Sequence, residues 1–132
     1  MLTRRRLALA AVTLACTPGL ALAAAERKKG GGLSYIQFNT LTVTVRRAGG
    51  GRGVLSIESG VDVADPSLHT RADQSKPILR DAYMRWLTTY GLSLPPGMPP
   101  NLDEMQGELQ RITDRTLGRA GAKVLVGSVM VN

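Results

Sequence analysis

The chain has 132 residues, with 17 Lys and Arg against 10 Asp and Glu and a formal net charge of +7. This length allows one ordinary domain with a short appendage and excludes two separate hydrophobic cores. Three of the arginines lie in the first six residues. The rest of the chain has 14 basic and 10 acidic residues, a net charge of +4 that is well below the dense basic stripe of a nucleic-acid-binding protein.

The first 25 residues have the three parts of a secretory signal peptide. Residues 1–6 are basic, residues 7–16 form a short apolar run, and Pro18-Gly19 precede a small-residue pattern at Ala21 and Ala23. We expect cleavage after Ala23 or, as a second choice, after Ala25. The sequence therefore predicts an exported protein.

Three other uses of this leader stay open. Residues 7–25 come close to the roughly 20 apolar residues of a membrane-spanning helix, so an uncleaved inner-membrane anchor is the alternative to cleavage. Residues 3–7, TRRRL, resemble the start of a twin-arginine signal, with an ordinary Sec signal as the competing interpretation. Cys16 follows Leu14-Ala15 and is a minor candidate for a lipoprotein cleavage site.

A mature chain without the leader would have no cysteine, because Cys16 is the only one. Neither disulfides nor thiolate chemistry would then be available, and the fold would depend on packing alone. Residues 26–34 begin ERKKGGG, a charged and glycine-rich composition typical of a flexible tether. Its basic residues would meet anionic headgroups if the leader stayed in the membrane, whereas a solvated spacer is the simpler interpretation.

Two strands are predicted after the tether. Residues 35–47 are rich in aromatic and β-branched residues, but their apolar positions change from even to odd near Asn39-Thr40, which predicts a bulge or kink there. A glycine turn at residues 48–53 leads into a return strand at residues 54–64. The clean alternation of this strand is typical of an antiparallel sheet with one solvated face. Residues 64–74 are predicted to be a loop.

Residues 75–91 are predicted to form the central helix. Ser75 suits its N-cap, Pro77 suits its first turn, and Gly91 suits the left-handed position just past its end. Apolar side chains recur at helical spacing and include the only tryptophan, so we expect this stripe to carry most of the core. The stripe comprises Ile78, Leu79, Ala82, Tyr83, Trp86, Leu87 and Tyr90.

The last third of the chain predicts a loop, a helix and a strand. Residues 92–100 hold four prolines and are expected to be an extended surface loop, with a Pro-rich ligand for another protein as the alternative. Residues 101–119 form the second predicted helix, which starts with Asn101 and Glu104 as a capping box and stops at Gly121. Residues 122–131 predict a strand that is apolar on both faces. Its outer face needs a cover, either a partner subunit or the tether.

The order of elements is β-β-α-α-β, which predicts an α+β fold of two layers. One layer is a small mixed or antiparallel sheet, and the other is a helix pair on one face of that sheet. The hairpin and the two helices each reverse the chain. We therefore expect the last strand to run parallel to the first.

The sequence offers no arrangement of side chains for catalysis. His69 is the only histidine, and without a cysteine or a carboxylate pair beside it we interpret it as a surface residue. We predict a protein that is not an enzyme and binds no cofactor or metal. Arg46, Arg47 and Arg52 cluster at the predicted hairpin tip, where they would contact an anionic lipid or polymer or keep the sheet edge from pairing with other chains.

Four segments resemble, in order, the periplasmic domain of the flagellar basal-body-associated FliL family. They are YIQFNTLTVTV, KPILRDAYMRWL, the second amphipathic helix and KVLVGSVMV, and together they span residues 35–132. The family pattern is an aromatic-asparagine pair followed downstream by P-x-x-R-D and then a leucine. The matching residues here are Phe38, Asn39, Pro77, Arg80, Asp81 and Leu87.

This resemblance implies a stomatin-type fold and a non-enzymatic role on the periplasmic face of the inner membrane. FliL domains assemble side by side and support the torque-generating stator units of the flagellar motor. The implied partners are other copies of the chain and envelope or flagellar motor proteins, with an anionic membrane surface as a further contact and no nucleic acid. The alternative is a periplasmic binding or adaptor module of the same fold without a link to motility.

Overall fold

The computed structural model describes residues 32–132, in which a four-stranded antiparallel sheet carries three helices. The strands are β1 (Tyr35–Gln37), β2 (Leu41–Arg46), β3 (Arg52–Val63) and β4 (Ala122–Val131). The helices are α1 (Pro66–Gln74), α2 (Lys76–Ser93) and α3 (Leu102–Leu117). The leader and most of the tether lie outside the described residues, so the interpretations of both stay predictions. None of the helices in the described range is long and apolar enough to cross a membrane.

Strand β3 is the centre of the sheet. It pairs with β1 and β2 along one side and with β4 along the other, always antiparallel. Strands β1 and β2 are two pieces of the predicted first strand, separated at residues 38–40, so the expected kink near Asn39-Thr40 is confirmed. Because β2 and β4 are both antiparallel to β3, they run in the same direction, as predicted.

The α+β fold class is confirmed, and one predicted loop is wrong. Residues 66–74 form helix α1, whose N-cap Asp65 accepts a hydrogen bond from the backbone N–H of Leu68 at 3.1 Å. The Arg119 guanidinium also donates to the Asp65 carboxylate, at 2.5 Å. Hydrogen bonds from Ser67, Leu68 and Arg119 lower the pKa of Asp65. An aspartate followed by proline is a helix-start signal, and it was missed because the segment that follows is short and mostly polar.

The predicted start of the central helix at Ser75 is confirmed, whereas its capping bond and the predicted end of the helix are wrong. Ser75 makes no side-chain cap; its backbone N–H instead bonds to the carbonyl of Arg71, so α1 runs almost directly into α2. Gly91 lies inside α2 rather than at its end, and it has no left-handed backbone. A Cβ built on Gly91 would lie only 2.7 Å from the backbone oxygen of Thr44. This glycine therefore permits close packing of the helix against β2.

Tyr83 rather than Trp86 is the centre of the core. Tyr83 is fully buried and meets the Phe38 ring edge-on at 5.4 Å, whereas Trp86 is half-buried and stacks on Tyr90 at 4.7 Å. Ile78, which the predicted stripe includes, is 62% exposed. The other members of the stripe bury their side chains wholly or partly against the sheet, as predicted. The fully buried ones are Leu79, Tyr83 and Leu87.

Helix α3 begins as predicted and ends earlier. The Asn101 side chain accepts a hydrogen bond from the backbone N–H of Glu104 at 3.2 Å, which confirms the cap. The helix stops at Gly118, whose φ of 79° is left-handed, and not at Gly121. Tyr83 of α2 bonds through its hydroxyl to Thr113 of α3, and Thr113 donates in turn to the carbonyl of Leu109 at 2.7 Å. This buried pair joins the two long helices.

Candidate interaction surface

Helix α3 caps one edge of the sheet with two glutamine side chains. Gln110 accepts a hydrogen bond from the backbone N–H of Val124 at 2.8 Å and donates one to the carbonyl of Ala122 at 2.7 Å. Gln106, one turn earlier, donates to the carbonyl of Val124 at 2.6 Å. These bonds take the place of a neighbouring strand. We call residues 122–125 the capped half of β4.

Residues 126–131 have no such cap, and we call them the open half of β4. Asn132 and Val54 exchange both backbone hydrogen bonds, each at 3.0 Å, so these two residues face each other across the ladder. Along an antiparallel strand, the backbone N–H and C=O groups of successive residues point alternately toward one neighbouring strand and away from it. The N–H and C=O groups of Val129 and Val131 therefore point to the free edge, where no strand or side chain of residues 32–132 bonds to them.

The side chains of the open half are also exposed. Met130 and Val131 point to opposite faces of the sheet and are 55% and 50% exposed, and Val129 is half-buried. A bulge lies within the open half, at residues 127–128, because Ile57 is opposite Val129 while Ser59 is opposite Val126. An extra residue at this point bends and twists the strand. Met130 and Val131, at the end of the open half, thus expose apolar side chains on both faces of the sheet beside the free edge.

The opposite edge of the sheet, formed by β2, is covered at two residues, Thr44 and Arg46. The Arg46 carbonyl accepts a hydrogen bond from the backbone N–H of Gly97 in the proline loop at 3.1 Å. The backbone carbonyl of Arg46 therefore points away from β3, and the backbone groups of Thr44, two residues earlier in the same strand, point the same way. Gly91 of α2 packs closely against the carbonyl of Thr44. Helix α2 and the loop after it therefore shield this edge.

The three arginines singled out in the sequence lie near the tip of the β2–β3 hairpin. Arg46 and Arg52 are direct cross-strand partners, and all three side chains are exposed. Arg46 donates through its guanidinium to the carbonyl of Leu94 at 3.1 Å. No carboxylate of residues 32–132 forms an ion pair with any of the three. Like charges opposite one another repel, so an anionic contact at the tip would relieve this repulsion.

A groove of about 310 Å³ lies between this tip, the proline loop and the end of β4. Arg46 and Arg47 belong to its rim, and Arg52 does not line it. The apolar lining comes mainly from three separate elements: Val45 of β2, then Leu94, Met98 and Pro99 of the loop, then Val131 of β4. Two hydrogen bonds hold the proline loop that forms one wall of this groove. One is the bond from Gly97 to Arg46, and the other runs from the backbone N–H of Asn101 to the Tyr90 hydroxyl at 2.8 Å.

His69 lies on α1 and is half-buried, so its predicted position in a loop is wrong. Across residues 32–132 no three His, Cys, Asp or Glu side chains converge as they would around a metal ion. The titration of two tyrosines is set by their surroundings. Burial raises the pKa of Tyr83 to about 12. Burial and the neighbouring Glu58 also raise the pKa of Tyr35, whose ring lies over Gly60 of β3.

The sequence does not predict that two glutamines cap the edge of the sheet. Gln106 and Gln110 lie four residues apart, so they share one side of α3, next to the buried Met105 and Leu109. That spacing is visible in the sequence, but polar residues beside an apolar stripe usually face water. Only the position of β4 beside α3 gives the two amides backbone partners.

No protein-family model matches this chain, and a search of curated proteins finds no significant relative.

Proposed function

We propose that this protein is a non-enzymatic, FliL-like assembly protein of the periplasm, whose first candidate target is the flagellar basal body and its stator units. The observation that carries the proposal is the exposed apolar end of the open half of β4, at Met130 and Val131. An exposed apolar surface of this kind is typical of a protein interface. The resemblance of residues 35–132 to FliL domains supplies the target.

The order of elements also supports this proposal. A hairpin, helices and a returning strand are what the resemblance implies, and the described residues have this order with one additional short helix, α1. Fold alone does not fix function. The surface therefore has to be tested in the cell.

A deletion strain tests the flagellar target directly. We expect swimming speed to fall and stator units to be lost from the motor, and both to return when the gene is supplied again. Unchanged swimming speed and unchanged stator retention in the deletion strain would contradict the proposal.

Two matched substitutions then test whether the surface matters. Met130→Lys places a charge on the open half of β4, whereas Ile78→Lys places the same charge at an equally exposed apolar position on α2. Both changes are at the surface, where the expected cost in stability is within about 0.5 kcal/mol. We expect Met130→Lys to fail in restoring motility and Ile78→Lys to succeed. Equal rescue by both would show that the open half is not the working surface.

The groove favours a second candidate function, a periplasmic binding or adaptor module without a link to motility. Its apolar walls and its two rim arginines suit a partner that presents an apolar group beside a negative charge. The test is purification of the tagged protein from the envelope. An envelope partner unrelated to the motor should co-purify with the wild type, should be lost with Arg46→Glu combined with Arg47→Glu, and should be kept with Arg80→Glu on the exposed side of α2.

A further inference from the structure

We propose that the open half of β4 pairs antiparallel with the open half of a second copy, so that two sheets join around a two-fold axis. This inference deepens the assembly function proposed above and rests on it in one respect, namely that association is part of what the domain does. The carrying observation is the edge itself. The N–H and C=O groups of Val129 and Val131 point outward and have no partner among residues 32–132.

The free backbone groups of this edge are suited to bind an extended chain. Outward-pointing backbone donors and acceptors in a row are satisfied by another strand, which adds to the sheet through main-chain hydrogen bonds. In natural proteins such an edge is commonly blunted by a charge or a proline. Residues 126–132 contain neither, since their sequence is VGSVMVN. The bulge at residues 127–128 twists the edge, which confines strand addition to residues 129–132 beyond it.

The same sequence makes a second copy a suitable partner. In an antiparallel pair of identical strands, every side chain faces a residue of the same short stretch. Because no residue of that stretch is charged, no like charges are brought together, and two of its valines can pair across the junction. A partner strand of other composition would have no complementary charge to recognise here.

The rest of the sheet limits the association to two copies. Head-to-tail growth would need a β2 edge that accepts a β4 edge, and the β2 edge is shielded at Thr44 by Gly91 and at Arg46 by Gly97. An interface in which a patch meets its own copy closes after two subunits. The bulge at residues 127–128 ends the new ladder, and the glutamine caps cover the outward groups of Ala122 and Val124 before it. We expect a small interface, and therefore a dimer that dissociates on dilution.

The decisive substitution is Val129→Pro. Proline removes the outward N–H of residue 129 and leaves the bonds from β4 to β3 intact, because those come from its neighbours. Val129→Thr is the matched control, since threonine keeps both the N–H and the branched shape.

Sedimentation equilibrium of the purified full chain, over a range of concentrations, measures the outcome. We expect the wild type and Val129→Thr to shift from one chain to two as concentration rises, and Val129→Pro to stay at half the dimer mass. Circular dichroism checks that the proline variant keeps its fold.

Cross-linking gives a second readout that does not depend on the proline variant. In a Cys16→Ser background, Met130→Cys should form a disulfide-linked dimer under mild oxidation, because pairing of Val129 with Val131 of the second copy sets the two Met130 positions opposite each other. Thr42→Cys, equally exposed on β2, should not. A wild-type chain that is monomeric at every concentration, a dimer that survives Val129→Pro, or cross-linking at Thr42→Cys and not at Met130→Cys would overturn the inference. These measurements need no flagellum, so their failure is distinguishable from failure of the motility test.

Discussion

The two halves of strand β4 have the same kind of sequence and opposite surroundings. Residues 122–125 lie beside α3, whose glutamines bond to their outward backbone groups, while residues 126–131 extend past this cap. The capped half, AKVL, has one valine and a lysine, the open half, VGSVMV, has three valines, and neither contains a proline. The difference teaches that protection of a sheet edge in this fold comes from the helices and not from the strand.

The largest effect is expected from shortening a valine in the capped half. Val124 is 0% exposed and Val131 is 50% exposed. Val124→Ala should lower the free energy of unfolding by about 2 to 3 kcal/mol, because it removes buried methyl groups and leaves a cavity. Val131→Ala should change it by less than about 0.5 kcal/mol. Urea denaturation measures both, and equal losses would contradict the contrast between the halves.

The next effect comes from the helix that shields the other edge. Gly91→Ala would place a Cβ 2.7 Å from the backbone oxygen of Thr44, so α2 must move away from β2. We expect a net loss of about 2 kcal/mol in unfolding free energy.

Gly107→Ala on α3 is the matched control. A Cβ there meets nothing within 4 Å, so the same substitution should stabilise by about 1 kcal/mol through helix propensity. Thermal unfolding of the two variants should therefore move in opposite directions. A stable Gly91→Ala protein would show that α2 does not shield the β2 edge closely.

Removing a cap should open the protected half. Gln110→Ala leaves the N–H of Val124 and the carbonyl of Ala122 without their side-chain partner. We expect a loss of about 1.5 kcal/mol and a stronger tendency to associate, because the free edge becomes longer. Denaturation curves and light scattering follow the two effects separately. Glu108→Ala, on the same helix but without a bond to β4, should change neither the stability nor the association of the protein.

The smallest effect concerns the buried contact that holds α2 to α3. Tyr83→Phe removes the hydroxyl bonded to Thr113 and should cost about 1 kcal/mol near neutral pH. The pKa of Tyr83 is raised from 10.0 to about 12 in the fold. Burial of the neutral phenol therefore stabilises the fold below pH 10, and this contribution is lost as pH rises toward 12.

Unfolding measured at several alkaline pH values checks this. The stability of the wild type should fall between pH 10 and pH 12, and that of Tyr83→Phe should fall less. The same decline in both proteins would mean that Tyr83 is not the group that titrates.

Glycines show where sequence patterns stop being sufficient. Gly91, Gly118 and Gly121 each suit a helix stop by pattern, and only Gly118 serves as one. Gly91 is needed for its small size against Thr44, which depends on a strand about fifty residues earlier in the chain. A local pattern cannot distinguish a glycine that frees the backbone from one that makes room for a neighbour.

The candidate surface was predictable only in part. The apolar composition of β4 on both faces predicted that the strand would need a cover. The sequence also predicted that Arg46, Arg47 and Arg52 would cluster at the hairpin tip. The sequence did not predict that Arg46 and Arg47 would share a groove with Met98 and Val131, because these residues come from three distant segments. The flagellar target and the exported location stay predictions.

Alternation, helical spacing and capping residues are local, so the sequence by itself determined the strands, the two long helices, the kink in the first strand and the α+β class. Which backbone groups found partners was decided only by the tertiary structure. Gln106, Gln110, Gly91 and Gly97 lie far along the chain from the strands that they protect, and a hydrogen bond to a sheet edge forms only when folding brings a donor within about 3 Å. The open half of β4 has no cap because α3 does not extend beside it. The sequence of residues 126–131 does not predict this.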